Sequence, residues 1–240
     1  MSVPKSCAVI GGGPAGLMAA ETLAEAGCHV TVYDQMPSFG RKLLMAGVGG
    51  LNLTHSEGLE AFLARYRGMP LRSMIEAFPP EALRAWCEDL GQETFVGSSG
   101  RVFPKSLKAS PLLRAWLRRL SELGVQPRVR HRWTGWRDNA LAFDAPDGPL
   151  EAIHDAAIFA LGGASWAKLG SDGAWSGIVQ QAGVATAPFK PSNCSFEIDW
   201  RQHVGAKFAG TPMKSIALSF GDTTVRGEAM VTETGIEGGA

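Results

Sequence analysis

The sequence predicts an α/β fold: a doubly wound, Rossmann-type domain with the start of an inserted β-rich domain behind it. Three observations carry that expectation. The stretch "CAVIGGGPAGLMAAETLAEAGCHVTVYD" (Cys7 to Asp34) reads as strand, glycine loop, helix and strand. A run of mainly helical patterns follows and ends when apolar strands return before "DAAIFALGGAS" (Asp155 to Ser165). Beyond Pro188 the texture becomes β, in "MKSIALSF" and "TTVRGEAMV" joined by "GDT".

The opening unit is the most informative. Cys7 to Ile10 is a short apolar run of the kind that forms a fully buried parallel strand. It meets Gly11, Gly13 and Gly16 at the G-x-G-x-x-G spacing, and Leu17, Ala20, Leu23 and Ala24 then share one helix face. Gly11 lets the chain turn tightly, Gly13 has no side chain to hold a pyrophosphate away, and Gly16 allows helix and strand to pack closely. The helix start presents free N–H groups and the positive dipole end to phosphates. Gly27 ends the helix, and "HVTVYD" closes on Asp34, whose carboxylate can accept both ribose hydroxyls of an adenosine. Glycine spacing alone also occurs in turns that bind nothing. The order strand, loop, helix, strand, acid decides for a dinucleotide site.

After Asp34 the βαβ alternation halts. A glycine-rich loop, "GRKLLMAGVGGLNLTH" (Gly40 to His55), leads into a helical excursion over residues 56–124. "LEAFLARY" and "PEALRAWCEDLG" are amphipathic, the second with Pro80 at its start. In "SPLLRAWLRRLSELG", Ser110 is the expected cap, Pro111 suits the first turn and Gly124 stops the helix. "VQPRVRHRWTGW" then reads as a strand, "ALAFDA" as another closed by the turn "PDG", and "DAAIFALGGAS" as a buried strand running into Gly162 and Gly163. A nicotinamide-binding domain completes its sheet without such delay, whereas a flavin needs walls beyond the first βαβ unit. The excursion therefore favours FAD over a nicotinamide-only dehydrogenase. The helix "AWSGIVQQAG" closes this domain, expected over residues 1–187, with the β-rich region over 188–240.

Composition narrows the partners. Twenty-three basic residues balance twenty-three acidic ones, so no global field favours nucleic acid or anionic lipid. The basic cluster "RVRHRW" (Arg128 to Trp133) alternates with apolar positions and fits a half-exposed strand better than a phosphate patch. Cys7, Cys28, Cys87 and Cys194 lie far apart with no C-x-x-C pair, which indicates neither zinc nor a redox dithiol. Cys7 and Cys28 fall on expected buried strands. "MSVPKS" has no apolar signal region, and no stretch approaches the ~20 apolar residues of a membrane span. A cytoplasmic protein acting on a small molecule is expected, with no metal, nucleic acid or membrane partner; the oligomeric state is open.

At this point the residues resemble a known family. Gly11 to Gly16, with Pro14 and Ala15 inside, looks like the FAD-binding form of the fingerprint. "GRKLLMAGVGGLNLTH", "GRVFPKSLKAS", "ALGGASWAKLGSDG" and "GEAMVTETGIEGG" are similar, in order, to motifs of the HI0933-like or BaiN-like NAD(P)/FAD-dependent oxidoreductases, bacterial flavoproteins of the two-dinucleotide-binding-domain class. The resemblance spans essentially the whole chain. It implies an extended FAD with NAD(P)H as electron donor. Carried over by position, Gly11, Gly13 and Gly16 would hold the pyrophosphate and Asp34 the adenosine ribose. Arg41 and Lys42 would lie near the phosphates. The loop with Gly47, Gly49, Asn52, Leu53 and Thr54 would approach the flavin ring. Trp133 would offer its backbone to the adenine, and Gly162 and Gly163 would end the last strand beside the pyrophosphate. Relatives reading G-G-G-R-C-N have Arg and Cys where this chain has Gly50 and Leu51, and the Thr of their A-T-G ending is Leu161 here, so roles of those side chains do not carry over. The resemblance also implies a chain that returns to the FAD domain after its β region. On that basis the 240 residues are expected to be a truncated copy, with unpartnered strands and weak cofactor retention.

No catalytic constellation stands out. His55, after the flavin loop, is the candidate proton donor, set against a loop-end histidine bonded to backbone. His29, His131, His154 and His203 read as solvent-exposed. Lys168, Ser171 and Asp172 sit in a loop expected to face the cofactor or to form a polar turn before the next helix. Most tryptophans have core spacing, and Trp166 is the one expected to reach the site. The function these residues suggest is a flavin-dependent oxidoreductase that takes hydride from NAD(P)H and reduces an organic acceptor. A non-catalytic flavin- or nucleotide-binding protein is the rival.

Overall fold

The computed structural model describes residues 5–47, 50–66, 70–190, 195–200 and 204–238. They fall into two compact units, Met1–Thr186 and Ala187–Ala240.

The first unit opens with β1 (Ser6–Ile10), α1 (Pro14–Glu25) and β2 (His29–Asp34). It continues through α2 (Arg41–Ala46), β3 (Thr54–His55), α3 (Leu59–Leu63), α4 (Arg72–Ala77), α5 (Pro80–Asp89), β4 (Thr94–Val96), β5 (Arg101–Pro104) and α6 (Ala109–Glu122). Then come β6 (Gln126–Val129), β7 (Arg132–Arg137), β8 (Ala140–Ala145), β9 (Gly148–Ala152), β10 (Ala156–Phe159) and α7 (Trp175–Gln181). Its centre is a parallel sheet in the order β10-β1-β2-β6.

The period of two along β1 builds both sides of the core. Cys7 and Val9 join Leu17, Leu112, Leu113 and Trp116 in the cluster under α1 and α6. Ala8 and Ile10 join Tyr33, Trp133, Leu141 and Phe143 on the opposite face. That second face is covered by an antiparallel meander, β7-β8-β9, against which α7 packs. With β1 buried from both sides, the loop that follows it is held at a rigid strand end.

Under the first face, α1 carries a charge into the core. Glu21 is only 3% exposed. Its carboxylate accepts the indole N–H of Trp116 at 2.5 Å, that of Trp86 at 3.2 Å and a guanidinium N–H of Arg119 at 3.0 Å. Arg119 also bonds Asp89 at 2.6 Å. A buried carboxylate is tolerable when it is paired and hydrogen-bonded in this way, and the network fastens α1 to α5 and α6.

Several expectations change. The segment 125–137 is not one strand: Arg130 takes a left-handed backbone (φ 59°) and divides it. β6 joins the parallel sheet beside β2, while β7 turns into the meander. The basic alternation therefore spans two strands and their junction. The mainly helical excursion also holds β4 and β5, which form a small antiparallel sheet with β3 just before it. Ser110 lies inside α6, whose N-cap is Lys108 without a side-chain bond. β10 is an exposed edge strand, because β1 is its only partner among the described residues. Cys28 is half-buried and precedes β2, whereas Cys7 and Cys87 are buried; Cys194 lies outside the described residues.

The second unit holds β11 (Ser195–Glu197), α8 (Val204–Phe208), β12 (Pro212–Phe220), β13 (Thr223–Val231) and β14 (Gly235–Gly238). The strands form an antiparallel sheet in the order β11-β14-β13-β12, so they find partners among themselves. The edges are β11 and β12.

Candidate functional site: a groove at the carboxyl ends of the parallel strands

The groove lies where β1 ends and α1 begins, the position at which open parallel sheets bind ligands. It encloses a volume of about 540 Å³. Its floor is Gly11 to Ala15. One wall carries Ser38, Gly40, Arg41 and Lys42, and the opposite one Ala160, Leu161, Gly162 and Ser171. Trp136, Phe159, Trp175 and Val184 make its apolar side.

The loop geometry follows from its glycines. Gly11 has φ +112°, and a Cβ there would stand 2.2 Å from the Ala160 carbonyl oxygen, so the loop touches, backbone to backbone, the residue that follows β10. At Gly16 a Cβ would stand 1.8 Å from the Gly11 oxygen; this glycine serves helix packing and does not line the groove. Gly13 differs: it has extended backbone (φ −82°, ψ −179°), and a Cβ would meet nothing within 4 Å. The space over Gly13 is the groove itself.

The loop is held from behind. Gly11 donates its N–H to the Tyr33 carbonyl at 2.7 Å, and Gly12 donates to Asp34 Oδ2 at 2.6 Å. The other carboxylate oxygen, Oδ1, accepts the Met36 N–H at 2.7 Å. Each oxygen keeps lone-pair capacity for a further donor. Burial pushes the Asp34 carboxyl above the usual range, and the Met36 and Gly12 N–H groups and the nearby Arg41 charge oppose that rise.

Beside Asp34 a narrower cleft of about 70 Å³ is lined by Tyr33, Gln35, His131, Trp133 and Trp175. Trp133 is buried, and its indole Nε1 has no hydrogen-bond partner among the described residues. On the cation wall, Arg41 donates to Ser38 Oγ at 3.3 Å while its Nε is enclosed, with no partner among the described residues. Lys42 Nζ reaches the Ser165 backbone oxygen at 3.3 Å and its hydroxyl at 3.4 Å.

These residues fit a dinucleotide diphosphate. An open backbone at Gly13, a helix N-terminus of α1 and two cations on one wall answer phosphate charge. A carboxylate fixed at a strand end answers vicinal hydroxyls, and an aromatic cleft beside it answers a planar base. Among the described residues no group of His, Cys, Asp and Glu is arranged to hold a metal ion, and no helix is long and apolar enough to cross a membrane.

Comparison with known proteins gives the same direction. Residues 5–238 match the family described as HI0933-like protein Rossmann domain. The chain belongs to that family. This HI0933-like chain is 28% identical over 244 residues to the 3-dehydro-bile acid delta(4,6)-reductase of Clostridium scindens, with 96% of the chain and 57% of the reductase covered. It is 49% identical over 49 residues to a ribosomal RNA dihydrouridine synthase of Haemophilus influenzae, a stretch covering 20% of this chain and 12% of that protein. The chain thus spans little more than half the length of the bile acid reductase. Among solved structures, AlpK superposes with a TM-score of 0.50 at 16% identity, covering 99% of this chain and 45% of AlpK, which bears on the fold alone.

Within the HI0933-like chain, Gly11, Gly13, Pro14, Ala15, Asp34, Arg41, Lys42 and Gly162 all line the groove, and Trp133 lines the adjoining cleft. Gly163 stands behind the wall, where its carbonyl accepts the Ser171 hydroxyl at 2.8 Å. Asn52, Leu53 and Thr54 line neither cavity: Asn52 is exposed, Leu53 packs on the core and Thr54 is buried in β3. Gly49 lies outside the described residues. His55 is also away from the groove, with Nε2 3.1 Å from the Ser99 carbonyl and Nδ1 accepting the Glu57 N–H at 3.2 Å. Trp166 is 63% exposed and lines neither cavity, and Lys168 is exposed. Ser171 and Asp172 line the groove and the cleft respectively.

Two histidines depart from solvent exposure. His131 is half-buried, with Nδ1 2.7 Å from the Val129 carbonyl, and lines the cleft. His154 is half-buried against the Tyr33 hydroxyl, its Nε2 3.0 Å away. His29 is exposed, and His203 lies outside the described residues. Nothing local marks His131 or His154, since Tyr33 is far from either in the sequence.

Proposed function

We propose that the chain forms the FAD-holding part of a flavin-dependent oxidoreductase that takes hydride from NAD(P)H and reduces an unsaturated or carbonyl group of a small organic acceptor. The observation that carries this reading is the open backbone at Gly13, facing a groove bordered by Arg41, Lys42 and the anchored Asp34. Membership of the HI0933-like family supports a flavin, and the reductase named among its relatives supports reduction as the direction.

When bound, the flavin supplies the hydride-accepting and hydride-donating chemistry. The residues of this chain bind and orient. Gly13 and the first turn of α1 offer N–H donors to the diphosphate, Arg41 and Lys42 neutralise it, and Asp34 accepts the ribose hydroxyls. Trp133, Tyr33 and His131 line the cleft that would take the base. The interrupted βαβ series weighs against a nicotinamide as the resident cofactor.

The test is a visible absorption spectrum of the purified protein after reconstitution with FAD, followed by anaerobic addition of NADH or NADPH. Retained flavin absorption that bleaches with the nicotinamide and returns with an added acceptor supports the proposal. A protein that retains no flavin after reconstitution overturns it. Flavin that is bound and never reduced leaves a nucleotide-binding protein in its place.

A further inference from the structure

We propose that His154 is a positioning residue for the nucleotide groove: its imidazole holds the Tyr33 hydroxyl and thereby fixes the end of β2, which carries Asp34 and to which the glycine loop after β1 is hydrogen-bonded. The inference rests on the reading of the groove as a nucleotide site and adds to it a residue that lines neither cavity.

Tyr33 is the point at which several supports meet. Its carbonyl accepts the Gly11 N–H at 2.7 Å, and its neighbour Asp34 holds Gly12. Its ring stacks on Phe143 at 4.3 Å with the planes 18° apart. Its hydroxyl lies 3.0 Å from His154 Nε2, across 121 residues of sequence. A shift of Tyr33 along its own strand therefore moves Gly11, Gly12 and the Asp34 carboxylate together. A buried phenol also needs a hydrogen-bond partner, and His154 is the partner it has.

The histidine is itself unusual. Its Nδ1 is enclosed without a partner among the described residues, so either tautomer that serves Tyr33 leaves the far side of the ring unsatisfied there. The packing alone would be better met by an apolar ring, and the contact that repays a histidine is the one to Tyr33. Protonation would place a second N–H, carrying charge, where no acceptor faces it. Burial accordingly lowers the His154 pKa, with the Asp155 charge opposing. Besides Asp155, the titratable or charged groups around the Tyr33–His154 pair are His131, between β6 and β7 with its ring 5.9 Å from that of Tyr33, and Arg128 on β6. Asp155 is itself tied to the Ser6 N–H at 2.8 Å. Acid thus favours a His154 cation that leaves the contact and releases Tyr33.

The test is calorimetric titration of ADP into the full chain as wild type, Tyr33→Phe, His154→Gln and His154→Phe. The expected result is ADP binding weakened about three- to tenfold by His154→Phe and by Tyr33→Phe, with His154→Gln within about twofold of wild type at neutral pH, since glutamine keeps a hydrogen bond to the hydroxyl. Between about pH 8 and about pH 5 the wild type should lose more affinity than His154→Gln, which cannot titrate. Comparing the two proteins at each pH cancels the titration of ADP and of Asp34. Should His154→Phe not fold, Tyr33→Phe and the His154→Gln profile carry the test. Lowered melting temperatures with unchanged ADP affinity and superimposed pH profiles would show His154 to be merely structural and overturn the proposal while leaving the nucleotide site intact. A wild type that binds no ADP at any pH overturns the nucleotide reading as well.

Discussion

The carboxylate of Glu21 and the indole nitrogen of Trp116 lie 2.5 Å apart across 95 residues of sequence, and this contact ties the helix behind the groove to the excursion. Replacing Trp116 by Phe keeps most of the ring volume and removes one donor from a buried charge. The expected loss is about 1–3 kcal/mol of unfolding free energy, the worth of a hydrogen bond to a charged group. Denaturant unfolding checks it, and an unchanged midpoint would mean that Trp86 and Arg119 satisfy Glu21 without Trp116.

Gly13 and Gly16 should part company when mutated. Gly13→Leu meets open space and an extended backbone, so the protein should fold with near-normal stability and lose FAD and ADP binding. Gly16→Ala drives a methyl against the Gly11 carbonyl and should destabilise the fold itself. Thermal unfolding beside ADP titration separates the two. A Gly13→Leu variant that retains one FAD per chain would remove the loop from the binding site.

Asp34→Ala should weaken ADP binding by about 1–3 kcal/mol. Because the Gly12 and Met36 N–H groups pin both carboxylate oxygens, Asp34 cannot swing away from a ligand. An ADP bearing a 2′-phosphate should therefore bind more weakly than ADP, and Asp34→Ala should narrow that difference. The carboxyl should titrate above 3.8 in the unliganded protein, as burial dictates. A carboxyl raised on folding binds its proton more tightly in the native state. Its contribution to stability is thus fullest at low pH and is lost as pH rises through the raised value. Carboxyl carbon chemical shifts against pH measure this directly, and a midpoint at or below 3.8 contradicts it.

His55→Gln should leave ADP affinity, and any nicotinamide-driven flavin reduction, close to wild type. Both ring nitrogens are engaged with Ser99 and Glu57, and the ring lines neither cavity. Single-turnover reduction rates decide the matter. A large loss in that half-reaction would give His55 a chemical role.

What the sequence made legible was local. Cys7 to Asp34 encodes strand, loop, helix and acid within one unit whose signals lie next to one another, and α6 and α7 carry their own periodicity. Interactions between distant segments were not legible. Glu21 sits beside Ala20 and Leu17 on an apolar face, and only Trp86, Trp116 and Arg119, brought in by two later helices, make its burial tolerable. The break at Arg130 was hidden because alternation continues through it, while a left-handed residue passes the chain from one sheet to another. β10 reads as buried from its apolar letters, yet burial depends on whether a neighbour covers each edge, which letters do not encode. His154 and Tyr33 belong to the same class of long-range contact.

The glycine loop turns its first two N–H groups inward, to Tyr33 and to Asp34, and Pro14 has none to give. The N–H groups of Gly13 and of the first turn of α1 would therefore share a diphosphate's charge with the side chains of Arg41 and Lys42. Attraction carried by half-exposed cations is screened by dissolved ions more than short hydrogen bonds are. The groove should accordingly behave as an ionic-strength sensor, holding its nucleotide firmly in dilute buffer and releasing it progressively as salt is added.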